Sequence, residues 1–155
     1  MKRSTLGMLV VALIAVAFNF LAHASDLDKT AKCLRIAEKA EFFVQEKGTD
    51  YALKVFSAIK GPFIDGELYV FCCSMNGVML AHPYKKDWVG RNLASYTDTN
   101  GKAIFKEFSR VAEHKGSGWV DYLWKKPGEE GEFPKTTYIK RIASSDLFVG
   151  VGFYK

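Results

Sequence analysis

Aromatic side chains and one lysine gather in the last third of the sequence, where they could bind a small molecule. Trp119, Tyr122 and Trp124 fall within six residues, and Lys135 and Tyr138 follow on the next predicted strand. Aromatic walls exclude water from a pocket, while a cation and hydroxyl donors bind an anion. The cluster therefore predicts a site for a small carboxylate; the alternative is core packing with polar tips at the surface.

Strand alternation divides this cluster between two faces. Tyr122 and Trp124 point to one side of their strand and Trp119 to the other, so they cannot all line one pocket unless a bulge or the following loop intervenes. Tyr69 lies on a separate predicted strand that is apolar on both faces, which is typical of a central strand.

Other reactive residues do not form a catalytic or metal-binding pattern. Gly116-Ser117-Gly118 lacks the strand-before, helix-after setting of a nucleophile elbow. His82 and His114 lie on different elements without metal-ligand spacing. We therefore expect no catalytic residue, no metal and no cofactor, and we expect the protein not to be an enzyme.

The three cysteines leave several pairings open. In an oxidising compartment, Cys33, Cys72 and Cys73 suggest one disulfide and one remaining thiol. Adjacent strand residues point to opposite faces, so a vicinal bond would need distortion, and a bond from the first helix to Cys72 or Cys73 is favoured among the pairings. The alternative is three buried thiols.

The first 24 residues have the pattern of a secretory signal. Lys2 and Arg3 precede an unbroken apolar run over residues 6–18, and Ala22-His23-Ala24 fits a small-x-small cleavage site before Ser25. The alternative is an uncleaved membrane anchor, for which the apolar stretch is marginally long. We expect a periplasmic or secreted protein whose residues 25–155 form one domain.

Charge excludes one class of partner. The 155 residues carry a formal net charge of +5, and removal of residues 1–24 leaves 20 basic and 17 acidic residues, a net +3. The basic residues are scattered among acids and form no stripe, so we expect no nucleic acid partner.

Periodicity predicts an α+β fold. Apolar residues at helical spacing indicate a long helix over residues 26–47, a second helix after Gly48 that ends at Gly61-Pro62, and a third over about 102–114. Asn76-Gly77 is a strong hairpin signal between two strands. Strands are predicted over residues 67–75, 78–81, 119–124, 135–143 and 147–154, and their short connections indicate an antiparallel sheet.

An ordered series of motifs resembles a single Cache domain. It comprises Asp65-Gly66-Glu67-Leu68-Tyr69-Val70-Phe71, Asn76-Gly77-Val78-Met79-Leu80-Ala81-His82-Pro83, Gly90-Arg91-Asn92-Leu93, Asp98-x-Asn100-Gly101-Lys102, Gly116-x-Gly118-Trp119-Val120-Asp121-Tyr122-x-Trp124, Pro134-Lys135-x-x-Tyr138 and Gly150-x-Gly152-x-Tyr154. The series runs in order over nearly all of residues 25–155.

The resemblance implies a PAS-like antiparallel sheet of about five strands with a long N-terminal helix packed on one face. It places the pocket on the opposite face, closed by the segment between the hairpin and the third helix. It also implies an extracytoplasmic sensor that binds a short organic acid such as acetate, propionate, lactate or pyruvate without chemical change. The ligand-binding candidates are Tyr69, His82, Trp119, Tyr122, Trp124, Lys135 and Tyr138.

The resemblance leaves a second function open. Members of this family usually pass a signal to a chemotaxis or kinase module, whereas this sequence ends at Lys155, directly after the last predicted strand. We expect such a chain to hand its bound state to another protein. The alternative is a ligand-free periplasmic partner subunit that docks on a membrane receptor or histidine kinase, and a homodimer is compatible with either function.

Overall fold

The computed structural model describes residues 4–126 and 128–155, with side chains from residue 25 onward. The predicted signal sequence, residues 1–24, lies outside the residues whose side chains are described. Helix α1 spans Ser4–Lys47, and the chain divides into two compact units between Lys32 and Cys33. In the first unit, Asp28 and Lys32 form an exposed ion pair of 3.1 Å one helical turn apart. No helix in the described part of the chain is long and apolar enough to cross a membrane.

The second unit is built on one antiparallel sheet. Helix α2 (Thr49–Phe56) precedes strands β1 (Ile64–Asp65), β2 (Leu68–Ser74) and β3 (Met79–Ala81), and helix α3 (Ile104–Lys115) precedes β4 (Ser117–Lys125), β5 (Glu132–Arg141) and β6 (Leu147–Tyr154). The strand order is β1-β2-β6-β5-β4, with β3 also paired to β2. The predicted α+β fold with a PAS-like antiparallel sheet is confirmed, and the added strand is the two-residue β1.

The two sheet faces carry separate apolar cores. On one face, Cys33, Ala37, Ala40 and Val44 of α1 pack with α2 and with alternate residues of β2 and β6. On the other face, α3 packs over a core rich in aromatic rings. Alternation along β2 explains the division, because Leu68, Val70 and Cys72 belong to the first core and Tyr69, Phe71 and Cys73 to the second.

Two glycines of β6 permit close approach on the sheet surface. A Cβ atom at Gly150 would overlap the ring of Phe71, and one at Gly152 would overlap the hydroxyl of Thr137. The Thr137 hydroxyl lies 2.9 Å from that of Tyr122. The two glycines therefore allow the Phe71 ring and the Thr137 hydroxyl to lie close to the backbone of β6.

Some element boundaries differ from the sequence prediction. Helix α2 ends at Phe56 rather than at Gly61, because its last turn tightens and the Ala58 N–H bonds to the carbonyl of Val55. Strand β5 begins at Glu132 and includes Pro134, which was predicted to lie in the preceding loop. Proline lacks a donor, but the carbonyl of Pro134 still accepts from the Lys155 N–H at 3.0 Å.

None of Cys33, Cys72 and Cys73 is in a disulfide, so the favoured bond from the first helix is not formed in the structure. Cys33 and Cys72 lie in the core beneath α1, and Cys73 lies in the opposite core. All three are fully buried. The alternative prediction, three buried small side chains, describes the observed state.

Candidate ligand-binding site

A buried lysine lies at the centre of the aromatic core. Lys135 of β5 pairs with Tyr122 on β4 and with Tyr154 on β6, so the three side chains form one row across the sheet. Only 3% of Lys135 is exposed. Its ammonium nitrogen lies 4.6 Å from the ring centre of Tyr69 and 4.7 Å from that of Tyr154, and it donates to the Tyr69 hydroxyl at 3.0 Å.

The charge of this lysine is incompletely compensated. Burial lowers the pKa of Lys135 from its ordinary value of 10.5 to about 8, although the negative charge of Glu67 acts in the opposite direction. An ammonium transferred from water to an apolar site loses solvation, and a neutral hydroxyl and two rings recover only part of it. The site therefore favours an added negative charge.

The Tyr69 hydroxyl connects this lysine to a second donor. Burial raises the pKa of Tyr69 to about 12, and a hydrogen bond from the Trp124 side chain partly offsets that shift. An ammonium group is a donor only, so the Tyr69 oxygen accepts from Lys135. The hydroxyl keeps its own proton, which it can donate to a ligand.

The tautomer of the His82 ring makes its Nε2 atom a further hydrogen-bond donor. Its Nδ1 atom accepts the backbone N–H groups of Tyr84 and Lys85, both at 3.1 Å, so the neutral ring carries its proton on Nε2. Burial lowers the pKa of His82 to about 3, and the positive charges of Lys135 and Lys85 lower it further. The ring therefore stays neutral near pH 7 and keeps an N–H to donate.

These donors border a very small cavity, which we call the inner cavity. Its volume is about 10 Å³, enough for about one water molecule. Its walls are the side chains of Tyr69, Phe71, Met79, His82, Phe105, Phe108, Tyr122 and Trp124. Most of this lining is aromatic, so the inner end of the site is filled by the protein itself.

A larger space, which we call the outer cleft, opens on the other side of the same donors. It has a volume of about 310 Å³, and Tyr69, His82 and Trp124 line both it and the inner cavity. Its remaining walls are Tyr84, Lys85, Lys125, Lys126, Gly128, Glu129 and Tyr154. Lys135 lines neither space, so its charge reaches them through the Tyr69 hydroxyl.

Residues 82–103, which we call the cover segment, close this face of the sheet. Trp88 packs edge-on against Trp124 with ring centres 5.6 Å apart, and Tyr96 lies 5.9 Å from the same ring. Asp98 fixes the end of the segment: its carboxylate accepts the N–H groups of Asn100, Lys102 and, on strand β4, Leu123. The resemblance correctly placed the closing segment between the hairpin and the third helix.

The structure brings five of the seven predicted ligand-binding residues together. Tyr69, His82, Tyr122 and Trp124 border the inner cavity, and Lys135 lies directly behind Tyr69. Trp119 and Tyr138 do not join them. Both point to the opposite face of the sheet, where their ring centres are 5.2 Å apart. Side chains alternate along a strand, and Trp119 is three residues from Tyr122 on β4, as Tyr138 is from Lys135 on β5.

Sequence reasoning missed several residues that shape the site. Phe71, Phe108 and Tyr84 are not among the predicted ligand-binding residues, yet all three line the inner cavity or the outer cleft. Alternation from Tyr69 could have identified Phe71. No local pattern could have identified Tyr84, whose ring reaches Tyr69 only through the turn that His82 stabilises.

No cluster of three or more His, Cys, Asp or Glu side chains that could hold a metal ion is found among the described residues. The polar groups of the site are instead hydroxyl, imidazole, indole and ammonium donors. Such a set can bind an oxygen-rich anion and hold it without a metal.

An antiparallel sheet with a long helix on one face and a covered aromatic core on the other defines this molecule as an α+β domain with a PAS-like fold. The family model of the Cache domain matches residues 25–155, and the chain belongs to the Cache domain family. Cache domains are extracytoplasmic, ligand-binding sensor domains of chemoreceptors and related signalling proteins. This chain is accordingly a Cache sensor domain that is homologous to the periplasmic domains of chemotaxis receptors.

Individual relatives agree with this assignment. The chain is 28% identical over 117 residues to the methyl-accepting chemotaxis protein McpP of Pseudomonas putida, a match that covers 76% of this chain and 21% of the receptor. The chain thus spans about a fifth of that receptor's length. The solved periplasmic sensor domain of a chemotaxis protein is 29% identical, with a TM-score of 0.67 and coverage of 86% of this chain and 96% of that one.

A further structure supports the fold. It comes from a study of carboxylic acid recognition by a Cache chemosensory domain, and it has a TM-score of 0.73 at 23% identity, covering 85% of this chain and 97% of that one. At this level of identity the likeness shows that the two chains share a fold.

Proposed function

We propose that this protein is an extracytoplasmic sensor that binds a small organic acid at the junction of the inner cavity and the outer cleft. The observation that carries the proposal is the Lys135 ammonium, which is buried in the aromatic core and donates to the Tyr69 hydroxyl at 3.0 Å. A carboxylate at the junction would accept hydrogen bonds from Tyr69 and His82 and would lie within the field of Lys135.

The donor inventory favours an anion over a neutral or cationic ligand. Tyr69 and His82 each have a proton left to donate, while the Tyr69 oxygen accepts from Lys135 and the Nδ1 atom of His82 accepts from two backbone N–H groups. A ligand that brings only donors would leave these groups unpaired, which costs about 1–3 kcal/mol for each buried group. The relative described as recognising carboxylic acids has the same fold, which is consistent with this ligand class.

Binding is proposed to occur without chemical change and to be transmitted to a membrane receptor or kinase. Residues 1–24 are proposed to deliver the domain across the cytoplasmic membrane. The match of the chain to part of a chemotaxis receptor supports receptor-linked signalling as its context.

Equilibrium binding tests the proposal. Thermal melting and calorimetry of the purified protein would be measured with acetate, propionate, lactate and pyruvate, with matched amines and purines as neutral or cationic controls. A ligand at 100 times its dissociation constant stabilises the fold by about 2.7 kcal/mol, which gives a clear rise in Tm. Stabilisation by at least one carboxylate and by none of the amines is the expected result, and a panel in which no carboxylate binds rejects the proposal.

A further inference from the structure

The inner cavity is too small to hold the body of an organic acid. Its volume of about 10 Å³ admits about one water molecule, whereas even acetate has four heavy atoms. Phe71, Phe105 and Phe108 fill the inner end, and their rings pack against one another and against neighbouring aromatic residues. A carboxylate that accepts from Tyr69 and His82 must therefore direct the rest of the ligand outward.

The outer cleft has the size and the walls to receive that remainder. Its volume of about 310 Å³ is within the range of small-molecule sites, and a neighbouring space of about 350 Å³ shares Tyr69, Tyr84, Lys126 and Tyr154 with it. The rings of Tyr69 and Tyr84 meet edge to face at 5.1 Å. Tyr84 is 46% exposed, so part of its ring is open to a ligand.

Cations in this region already lie over ring faces. The Lys126 ammonium is 5.8 Å from the ring centre of Tyr154, and that of Lys85 is 5.7 Å from the ring centre of Trp88. A flat ligand ring offers the same kind of face to a cation and can also pair with the tyrosines, whereas an aliphatic tail offers neither interaction.

We propose that the outer cleft is a second subsite that selects carboxylates with an aromatic tail, with Tyr84 as its main specificity-determining residue. This inference rests on the proposed binding of a carboxylate at Tyr69 and His82. The carboxylate occupies the junction, and the ring lies in the outer cleft between Tyr84 and Tyr154 beneath Lys126.

Calorimetry with four acids tests this subsite: benzoate, cyclohexanecarboxylate, propionate and succinate. Benzoate is expected to bind at least tenfold more tightly than propionate and more tightly than cyclohexanecarboxylate. Tyr84→Leu keeps the backbone N–H that bonds to His82 and removes the ring, so it should weaken benzoate by roughly two- to tenfold, the equivalent of one aromatic pair. The affinity for propionate should change by less than twofold.

Tyr51→Leu is the matched control, because Tyr51 is a comparably exposed tyrosine on α2 and lies outside the residues that line the site. It should leave both affinities unchanged. Propionate binding as tightly as benzoate overturns the subsite but leaves the proposed function standing. Equal binding of cyclohexanecarboxylate and benzoate, or tightest binding of succinate, overturns the aromatic class. If none of the four acids binds while acetate, lactate or pyruvate does, the subsite is overturned and the proposed function stands; if no acid of either panel binds, both fall.

Discussion

The ammonium nitrogen of Lys135 lies 3.0 Å from the hydroxyl oxygen of Tyr69, although the two residues are 66 positions apart in the sequence. The pair joins strand β5 to strand β2 across the intervening β6, within a core of aromatic side chains. A charge buried in such a core lowers stability unless a partner charge and hydrogen bonds compensate for the lost solvation. The proposed binding of an anion gives this buried charge a role that stability does not, and the two roles predict opposite effects of removing the charge on the free energy of unfolding.

Replacement of Lys135 by methionine should separate binding from folding. Lys135→Met keeps an unbranched apolar side chain and removes the ammonium, so the free energy of unfolding at pH 7 should stay the same or rise. Affinity for a carboxylate should fall about ten- to a hundredfold, because opposite charges separated by one hydroxyl group, roughly 6 Å, attract by about 2–3 kcal/mol at an effective dielectric constant of about 20. Calorimetry with an acid that binds the wild-type protein measures the affinity, and unfolding in urea measures the free energy of unfolding. The control is Lys54→Met at an exposed position on α2. A variant that loses stability and binding together would show that Lys135 is structural.

The lowered pKa of Lys135 predicts opposite pH dependences for stability and for binding. Between pH 8 and 10 the folded protein has largely lost this proton while the unfolded chain, with its ordinary value of 10.5, retains it. Raising the pH through this range should therefore increase the free energy of unfolding, by at most about 1.4 kcal/mol per pH unit. Affinity for a carboxylate should decrease over the same range as the positive charge disappears.

Melting and calorimetry at pH 7, 8, 9 and 10 would check both trends. Tyr69 remains neutral across this range, since its pKa is about 12. Lys135→Met should remove both pH dependences, and Lys54→Met should keep them. A carboxylate affinity that is constant from pH 7 to 10 in the wild-type protein would contradict the assignment.

Local patterns predicted the elements better than they predicted the site. Strand β6 has the predicted bounds, residues 147–154, and alternation correctly separated Trp119 from Tyr122 and Trp124. These features depend on residues close in sequence. The contact between Lys135 and Tyr69, and the packing of Trp88 on Trp124, depend on strand order and on the path of the cover segment. Periodicity contains no information about either, so the sequence could suggest the members of the site but not their contacts.

His82 is expected to perform two separable tasks. Its Nδ1 atom holds the backbone of Tyr84 and Lys85, and its Nε2 proton is available to the ligand. Asparagine places an acceptor near the Nδ1 position and has no group at Nε2, so His82→Asn should fold but bind a carboxylate several-fold more weakly. His82→Ala should lose both functions, with a stability cost of about 1–3 kcal/mol for the two hydrogen bonds.

The same histidine makes stability sensitive to mild acid. Because its folded pKa is about 3 and its ordinary value is 6.5, the unfolded chain gains this proton first, and the free energy of unfolding falls as the pH drops from 6.5 to 5. His82→Asn should make the melting temperature less dependent on pH between 6.5 and 5, a range that lies above the titration of ordinary carboxyl groups. His114→Asn, at an exposed position of α3, is the control. Identical melting profiles for His82→Asn and the wild type would refute the effect.

Asp98 is expected to hold the cover segment against the edge of the sheet. In the part of the chain that the structure describes, strand β4 pairs only with β5, and on its other side the Leu123 N–H bonds to the Asp98 carboxylate at 3.0 Å. The N–H groups of Asn100 and Lys102 bond to the other carboxylate oxygen. Burial alone would raise the pKa of Asp98, but these three donors hold it below its ordinary value, so the contribution to stability is present near neutral pH and is lost on acidification.

Asp98→Asn replaces one acceptor oxygen with a donor that faces an N–H group. The variant should lose about 1–3 kcal/mol of stability, because at least one backbone donor is left unpaired. Hydrogen exchange would localise the effect: the amides of Leu123 and Lys102 should exchange faster, while those of β6 change only by the global loss of stability. Asp87→Asn, at an exposed position of the same segment, should leave both rates unchanged.

Asp98→Asn should also weaken carboxylate binding, because Trp88 and Tyr96 of the cover segment pack on Trp124 of the site. A variant whose amides exchange faster but whose affinity for a carboxylate equals that of the wild type would show that the cover segment does not shape the site.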